Sequence, residues 1–211
     1  MTQQSYVHGT IGSYLDKLAS SDPAPGGGSV AALVGALGAG LVTMVTNLTL
    51  GKEKFADVED AVAEIKAGSE KLRRELEELV TLDAKAYGAV AAAMKLPRDS
   101  EAQKQERNRV LQGALIGAAE VPLRVAEAAA EVARLSLPAA EKGNPNAVSD
   151  AGVAVLLADA AAQSAALNVK INLAWIADED FKRGAWTRVE AVLSETARLR
   201  DVVLAMTYSK I

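Results

Sequence analysis

Apolar residues recur at spacings of three and four along most of the chain, and nowhere do they alternate with polar ones for long enough to mark a strand. Ile11, Tyr14, Leu15 and Leu18 share one face of a short first helix, which the prolines and glycines of "SSDPAPGGG" end. A second helix is predicted from Ser29 to about Leu50, stopped by Gly51. A third carries Phe55, Val58, Val62, Ile65, Ser69, Leu72, Leu76, Leu79, Asp83, Tyr87, Val90 and Met94, and stops at Pro97. Ser100 with Gln103 makes a capping box for a fourth. There Leu111, Ala114, Ala118, Val121, Val125, Ala128, Val132 and Leu135 keep the repeat, with a bend expected at Pro122. After the break "LPAAEKGNPNAVSD", a fifth helix carries Val153, Leu157, Ala160, Ser164, Leu167, Ile171 and Trp175. Asp178 caps a sixth, with Val189, Val192, Leu199, Val203 and Met206.

This pattern predicts an all-α, up-and-down bundle of about six helices, several of them long, forming one domain over residues 1–211. A helix of about 40 residues is about 60 Å long, so some should bend or break. Helices of that length leave apolar surface uncovered, and seams rich in small residues let copies approach closely. A homodimer is therefore expected.

Composition narrows the chemistry. Half the residues are hydrophobic but only 4% are aromatic, so the core is built of Ala, Val and Leu. A net charge of −4 gives no general attraction to nucleic acid or anionic lipid, and no basic patch with interleaved aromatics appears. The absence of cysteine removes disulfides, thiolate metal sites and a cysteine nucleophile. The one histidine, His8, lies near the terminus, far from where a triad or a multi-histidine metal site would need it. "MTQQSYVHG" lacks a basic segment followed by an apolar run, so no signal peptide is expected and the cytoplasm is the default. The runs "EKLRRELEEL" and "EAQKQERNR" hold opposite charges four apart and read as solvated helix faces.

No charged side chain occurs between Asp22 and Lys52. The run passes the length test for a membrane span. Its Gly and Ala content and its Thr43, Thr46, Asn47 and Thr49 suit a buried central helix better. A P-loop is ruled out because the lysine and hydroxyl do not follow the glycines in order, and no strand precedes them. Gly26, Gly27 and Gly28 leave the first backbone N–H groups of a helix unshielded, ready for an anionic or carbonyl group of a ligand. The plainer reading is that they let the loop turn against a neighbouring helix.

Three polar features stand out against the apolar pattern. Asp83 falls on the apolar stripe of the third helix, where a carboxylate is either paired or holds its proton at a raised pKa. A structural partner and an acid–base role are both open. "GNPNAVSD" gathers Asn144, Asn146, Ser149 and Asp150 at a helix start, more polar groups than capping needs. Asn168 and Asn172 lie four apart beside the apolar stripe of the fifth helix, where they either bridge helices or line a polar pocket.

The segments "PAPGGGSVAALVGALGAGLVTMVTNLTLGK", "LDAKAYGAVAAAMKLP", "AAEVPLRVAEAA" and "GNPNAVSDAGVAVLLADAA…ALNVKINL" together resemble the cyclodeaminase/cyclohydrolase family, in order and over nearly the whole chain. The resemblance implies an all-helical dimer with a folate site at the glycine loop and dimer interface. It also implies one of two reactions on tetrahydrofolate derivatives: hydrolysis of 5,10-methenyltetrahydrofolate to 10-formyltetrahydrofolate, or closure of 5-formiminotetrahydrofolate with release of ammonia. With no room for a transferase domain in 211 residues, the first is preferred. A folate-binding protein without catalysis is the third reading.

Both reactions pass through a tetrahedral carbon between N5 and N10 and call for proton transfers, with no metal or cofactor beyond the tetrahydrofolate substrate expected. Asp83 is the first acid–base candidate, in an Asp-x-x-Ala-Phe/Tyr pattern written here as "DAKAY". Asp150 is the second, as proton carrier or as binder of the pterin's amino and amide groups. Gly26, Gly27, Gly28 and Ser29 would donate to the ligand, Asn144, Asn146 and Ser149 would complete the wall, and Lys52 would offset the glutamate tail or lie free in solvent.

Overall fold

The computed structural model describes residues 6–211, so the segment "MTQQS", on which the reading of the N-terminus partly rests, lies outside the described residues. Six α-helices follow one another: α1 (Ile11–Leu18), α2 (Gly27–Asn47), α3 (Glu59–Met94), α4 (Glu101–Lys142), α5 (Val148–Leu173) and α6 (Glu179–Lys210). Among the described residues a 3₁₀ turn, Tyr6–His8, precedes α1, two more, Glu53–Val58 and Pro145–Ala147, join α2 to α3 and α4 to α5, and no strand occurs.

The predicted signals act where expected. Ser100 and Gln103 form both halves of the capping box of α4. Asp178 accepts the backbone N–H groups of Asp180 and Phe181 to start α6. Gly51, at φ 71°, closes the turn after α2, although the helix itself already ends at Asn47 instead of near Leu50. In the first charge run Arg73 bonds Glu77 and Arg74 bonds Glu70 at the expected spacing of four, whereas in the second Lys104 bonds Glu101 and Arg109 bonds Glu106 at a spacing of three. Boundaries moved in several places: Phe55 and Val58, expected in the third helix, lie in a separate 3₁₀ turn, and α3 begins only at Glu59. Helix α2 starts two residues early, at Gly27, because the glycines take part in its first turn. Helix α4 runs unbroken through Pro122 and on through Pro138 to Lys142, so the break begins later than the sequence suggests. Its neighbours hold it on several sides, which offsets the hydrogen bond each proline removes.

Helix α2 packs against α3, α4 and α5, while α4 touches α2, α3, α5 and α6. Helix α2 runs antiparallel to α5: Gly27 faces Asn168, Gly35 faces Ala161, and Gly38 lies against the carbonyl oxygen of Ala154, where a Cβ would stand 3.1 Å away. Such close approach dictates which residues face inward. The buried side of α5 is Ala151, Ala154, Val155, Ala158, Ala161, Ala162, Ala165 and Val169. The stripe read from the sequence as the inward face points the other way: Leu167 is 73% and Trp175 67% exposed, and Val153 and Ile171 are exposed too. Apolar residues occur on every side of α5, so spacing alone could not tell its core face, and side-chain size decided it. Likewise in α1 only Tyr14 is fully buried, while Ile11 and Leu15 face solvent.

Helix α2 also leaves apolar side chains exposed, Leu37 and Met44 in its second half and Leu48 just past its end, so both helices carry uncovered apolar surface. Both helices are long and apolar enough to cross a membrane, yet more than half of each is buried inside the bundle.

Candidate active site

The first turn of α2 aims at α3. Asp83 projects from α3 against it, so closely that a Cβ on Gly28 would stand 2.1 Å from Asp83 Oδ1. The Ser29 backbone lies beside the carboxylate and favours its charged form. Burial pushes the Asp83 carboxyl above the usual carboxylate range, and the Ser29 backbone offsets this only in part. Behind this contact, the Ser29 hydroxyl and the Tyr14 hydroxyl share a hydrogen bond of 3.1 Å. Tyr14 is itself pushed up, first by burial and further by the negative charge of Asp83, against the pull of the Ser29 hydrogen bond.

Asp83 and the glycines open into a cleft of about 330 Å³. Pro23, Ala24 and Gly26–Gly28 form one wall; Asp83, Ala86, Tyr87, Val90 and Met94 of α3 form a second; Leu115 and Ala118 of α4 lie at the back; and Asn168, Ile171, Asn172 and Trp175 close the last side. Tyr87, Ile171 and Trp175 are exposed at the mouth. Gln112 fixes the turn bearing Trp175, donating to the Trp175 carbonyl at 3.2 Å and accepting from the Ala177 N–H at 2.8 Å. Among the described residues, no lysine, arginine or histidine lines the cleft.

The residues singled out from the sequence fall at two ends of α2. Asp83, Gly26, Gly27 and Gly28 come together at the cleft. Ser29 was expected to meet the ligand with its hydroxyl; that hydroxyl is fully buried on Tyr14, and the residue acts on Asp83 through its backbone instead. Lys52, Asn144, Asn146, Ser149 and Asp150 gather at the other end of α2, whose 21 residues span about 31 Å, so one chain does not bring them to the cleft wall. Asn144 is buried there as a structural tie: its N–H donates to Thr49 Oγ1, its side-chain amide to the Leu48 carbonyl, and its Oδ1 accepts the Asn146 N–H. The Lys52 ammonium donates to the same Leu48 carbonyl. Asn146 and Ser149 are exposed, and Asp150 sits half-buried in the first turn of α5.

Sequence reasoning left Tyr87 and Trp175 without a role. Tyr87 carried a usable signal, lying one helical turn beyond Asp83 on the same face of α3. Trp175 ends the outward stripe of α5, which only the observed packing identifies as outward.

The formiminotransferase-cyclodeaminase family model matches residues 10–191. The chain belongs to this family. It is 43% identical to the methenyltetrahydrofolate cyclohydrolase of Methylorubrum extorquens, over 96% of this chain and 97% of that protein. It is 32% identical to the formimidoyltransferase-cyclodeaminase of Rattus norvegicus over the same share of this chain, but spans only 37% of that longer protein. The crystal structure of formiminotetrahydrofolate cyclodeaminase from Thermotoga maritima superposes with a TM-score of 0.86 at 32% identity, covering 96% of this chain and 97% of that one. The all-helical fold is thus that of a cyclodeaminase.

Proposed function

We propose that this chain is a methenyltetrahydrofolate cyclohydrolase, an enzyme of one-carbon metabolism that hydrolyses 5,10-methenyltetrahydrofolate to 10-formyltetrahydrofolate in the cytoplasm. The observation that carries this reading is a desolvated carboxyl, Asp83, in a cleft whose lining, among the described residues, includes no cation. The methenyl substrate is itself a cation, its positive charge spread over N5, the bridging carbon and N10. Such a ligand finds an unopposed carboxylate in Asp83, and its charge draws the Asp83 pKa back down on binding.

In this mechanism the Asp83 carboxylate takes a proton from water as the water oxygen bonds to the bridging carbon. Asp83 then returns the proton to N5 as the bond from N5 to that carbon breaks. The added hydroxyl gives up its proton as it becomes the formyl carbonyl on N10. Substrate cation and water thus leave as neutral product and one proton. The glycine loop brings backbone close to the ligand, and Tyr87 and Trp175 supply flat apolar surface at the mouth.

The second reading, formimidoyltetrahydrofolate cyclodeaminase, uses the same tetrahedral carbon and the same carboxyl in the opposite sense; the likeness to the Thermotoga maritima structure supports it. The methenyl chromophore separates the two. Accelerated loss of absorbance from the methenyl compound, with none gained from 5-formiminotetrahydrofolate, establishes the cyclohydrolase. Gain from the formimino compound with ammonia released establishes the cyclodeaminase. Silence in both leaves a folate-binding protein.

The working form is proposed to be a homodimer, without nucleic-acid or membrane partners. The exposed apolar surface of α2 and α5 supports a second copy as its cover. A two-fold axis across the middle of that surface sets the helices of the copies antiparallel. The end bearing Lys52, Asn146, Ser149 and Asp150 in one copy then meets the cleft of the other, where Asp150 becomes a second proton carrier and Lys52 meets the glutamate tail.

A further inference from the structure

The two asparagines of α5 carry an orientation that the hydrogen bonds fix. Asn172 Nδ2 donates to two carbonyl oxygens at once, Ala118 of α4 at 2.9 Å and Asn168 at 3.0 Å. Both protons of the amide are thereby used, and the opposite flip would set its oxygen against two other oxygens. Oδ1 of Asn172 is therefore held as a fixed acceptor, and the residue lines the cleft. Asn168 Nδ2 donates to the Ser164 carbonyl at 2.9 Å within its own helix, and its amide group lies beside Gly27, where a Cβ would stand 3.4 Å from Nδ2 and 3.6 Å from Oδ1. Among the described residues no hydrogen bond is made to Oδ1 of either asparagine. Two acceptors, about 6 Å apart along α5, thus stand in the cleft in a row that leads past Gly27 and Gly28 to Asp83.

We propose that Asn168 and Asn172 are specificity-determining residues whose side-chain oxygens accept hydrogen bonds from the amino and amide N–H groups of the substrate's 2-amino-4-oxo pteridine ring. The assignment rests on the folate reading above and deepens it. That ring edge presents two adjacent donors, N3–H and the 2-amino group, and fixed acceptors are what reads donors. The same row places the far side of the ring, with N5 and the bridging carbon, toward Asp83. Within one chain Asp150, the other group suited to this edge, lies beyond the opposite end of α2. An acceptor that cannot turn also rejects a ligand lacking the matching donor, because its lone pair is then left buried without a partner.

The test compares equilibrium binding of 5-formyltetrahydrofolate with that of its 2-desamino-2-methyl analogue, which lacks the 2-amino donors and keeps the rest of the ring. Calorimetric titrations use the full chain, the Asn172→Ala variant and the Asn168→Ala variant. Asn172 also ties α5 to α4, so a melting curve accompanies each variant; Asn168, whose amide bond stays within α5, gives an independent reading if Asn172→Ala does not fold. The wild type is expected to favour the parent ligand about tenfold, and at least one variant to lose most of that preference, leaving about twofold. Both variants weakening the two ligands equally, with the preference intact, would overturn the assignment and make the asparagines helix ties. A wild type that binds neither ligand would instead bring down the folate reading, and this assignment with it.

Discussion

Gly28 and Asp83 are packed so closely that the site tolerates no side chain between them: a Cβ on Gly28 would stand 2.1 Å from Oδ1 and 2.7 Å from Cγ of Asp83. The obstructing atoms are the far end of a movable side chain, so Gly28→Ala should fold, with the carboxyl turned away from the Ser29 backbone. Activity should fall by about 10²-fold, the scale of a misplacement of about 1 Å at a reacting group. Gly184→Ala is the control, since nothing lies within 4 Å of a Cβ there and the residue does not line the cleft. Equal turnover in the two variants would remove the Gly28–Asp83 contact from the mechanism.

The raised pKa of Asp83 makes a stability prediction with a definite sign. Between the ordinary carboxyl value near 4 and the raised value, the folded chain holds a proton that the unfolded chain has lost. Stability from this group is complete below the ordinary value and is lost as pH climbs through the raised one. Asp83→Asn removes that titration while keeping an oxygen beside the Ser29 backbone. Melting temperature relative to wild type should therefore rise with pH across this window and level off above it, while turnover falls by on the order of 10²-fold. Parallel melting profiles for the two proteins would show that Asp83 is not desolvated in solution.

How far the sequence carried this reading differs between elements. Helices α3 and α6 were legible because one face is apolar and the other charged, and Val62, Ile65, Leu76, Val189 and Val203 are buried as their spacing requires. Asp83 was legible for the same reason, as the exception on such a stripe. Helix α5 was not: with Ala, Val and Leu on every side, its inward face is set by which residues are small enough to lie against α2, a property of the packed pair. The "GNPNAVSD" cluster was legible as polar, but its place beyond the far end of α2 follows from the antiparallel course of α2 and α5, which no local pattern states. Ser29 reads as a ligand donor until Tyr14 is seen to take its hydroxyl.

The turn after α4 should be intolerant for reasons of packing alone. A Cβ on Gly143 would stand 2.4 Å from the Ala139 carbonyl oxygen and 2.5 Å from Cγ1 of the fully buried Val45. Backbone and core must both move, so Gly143→Ala should cost about 1–3 kcal/mol. Asn144→Ala leaves the Asn146 N–H without its acceptor and the Leu48 carbonyl with the Lys52 ammonium alone, and should cost a similar amount. Denaturant melts measure both. An unchanged midpoint in both variants would mean that this turn is not packed as described.

The division of polar residues between the two ends of α2 gives the sharpest test of the shared site. If the Asp150 end of one copy completes the Asp83 cleft of the other, Asp83→Asn and Asp150→Asn each spoil both sites of their own dimer. A mixed dimer carrying one copy of each has one site with both lesions and one site with none. Co-refolding equal amounts pairs the copies at random, so half the dimers are mixed and half their sites are intact. The mixture should recover about a quarter of wild-type activity from two nearly inactive parents. A Leu37→Lys change added to both parents should abolish this recovery by placing charges on the apolar surface. Recovery that never exceeds the sum of the parents would put each working site within a single chain, and the far-end cluster would then be left to hold the α4–α5 turn.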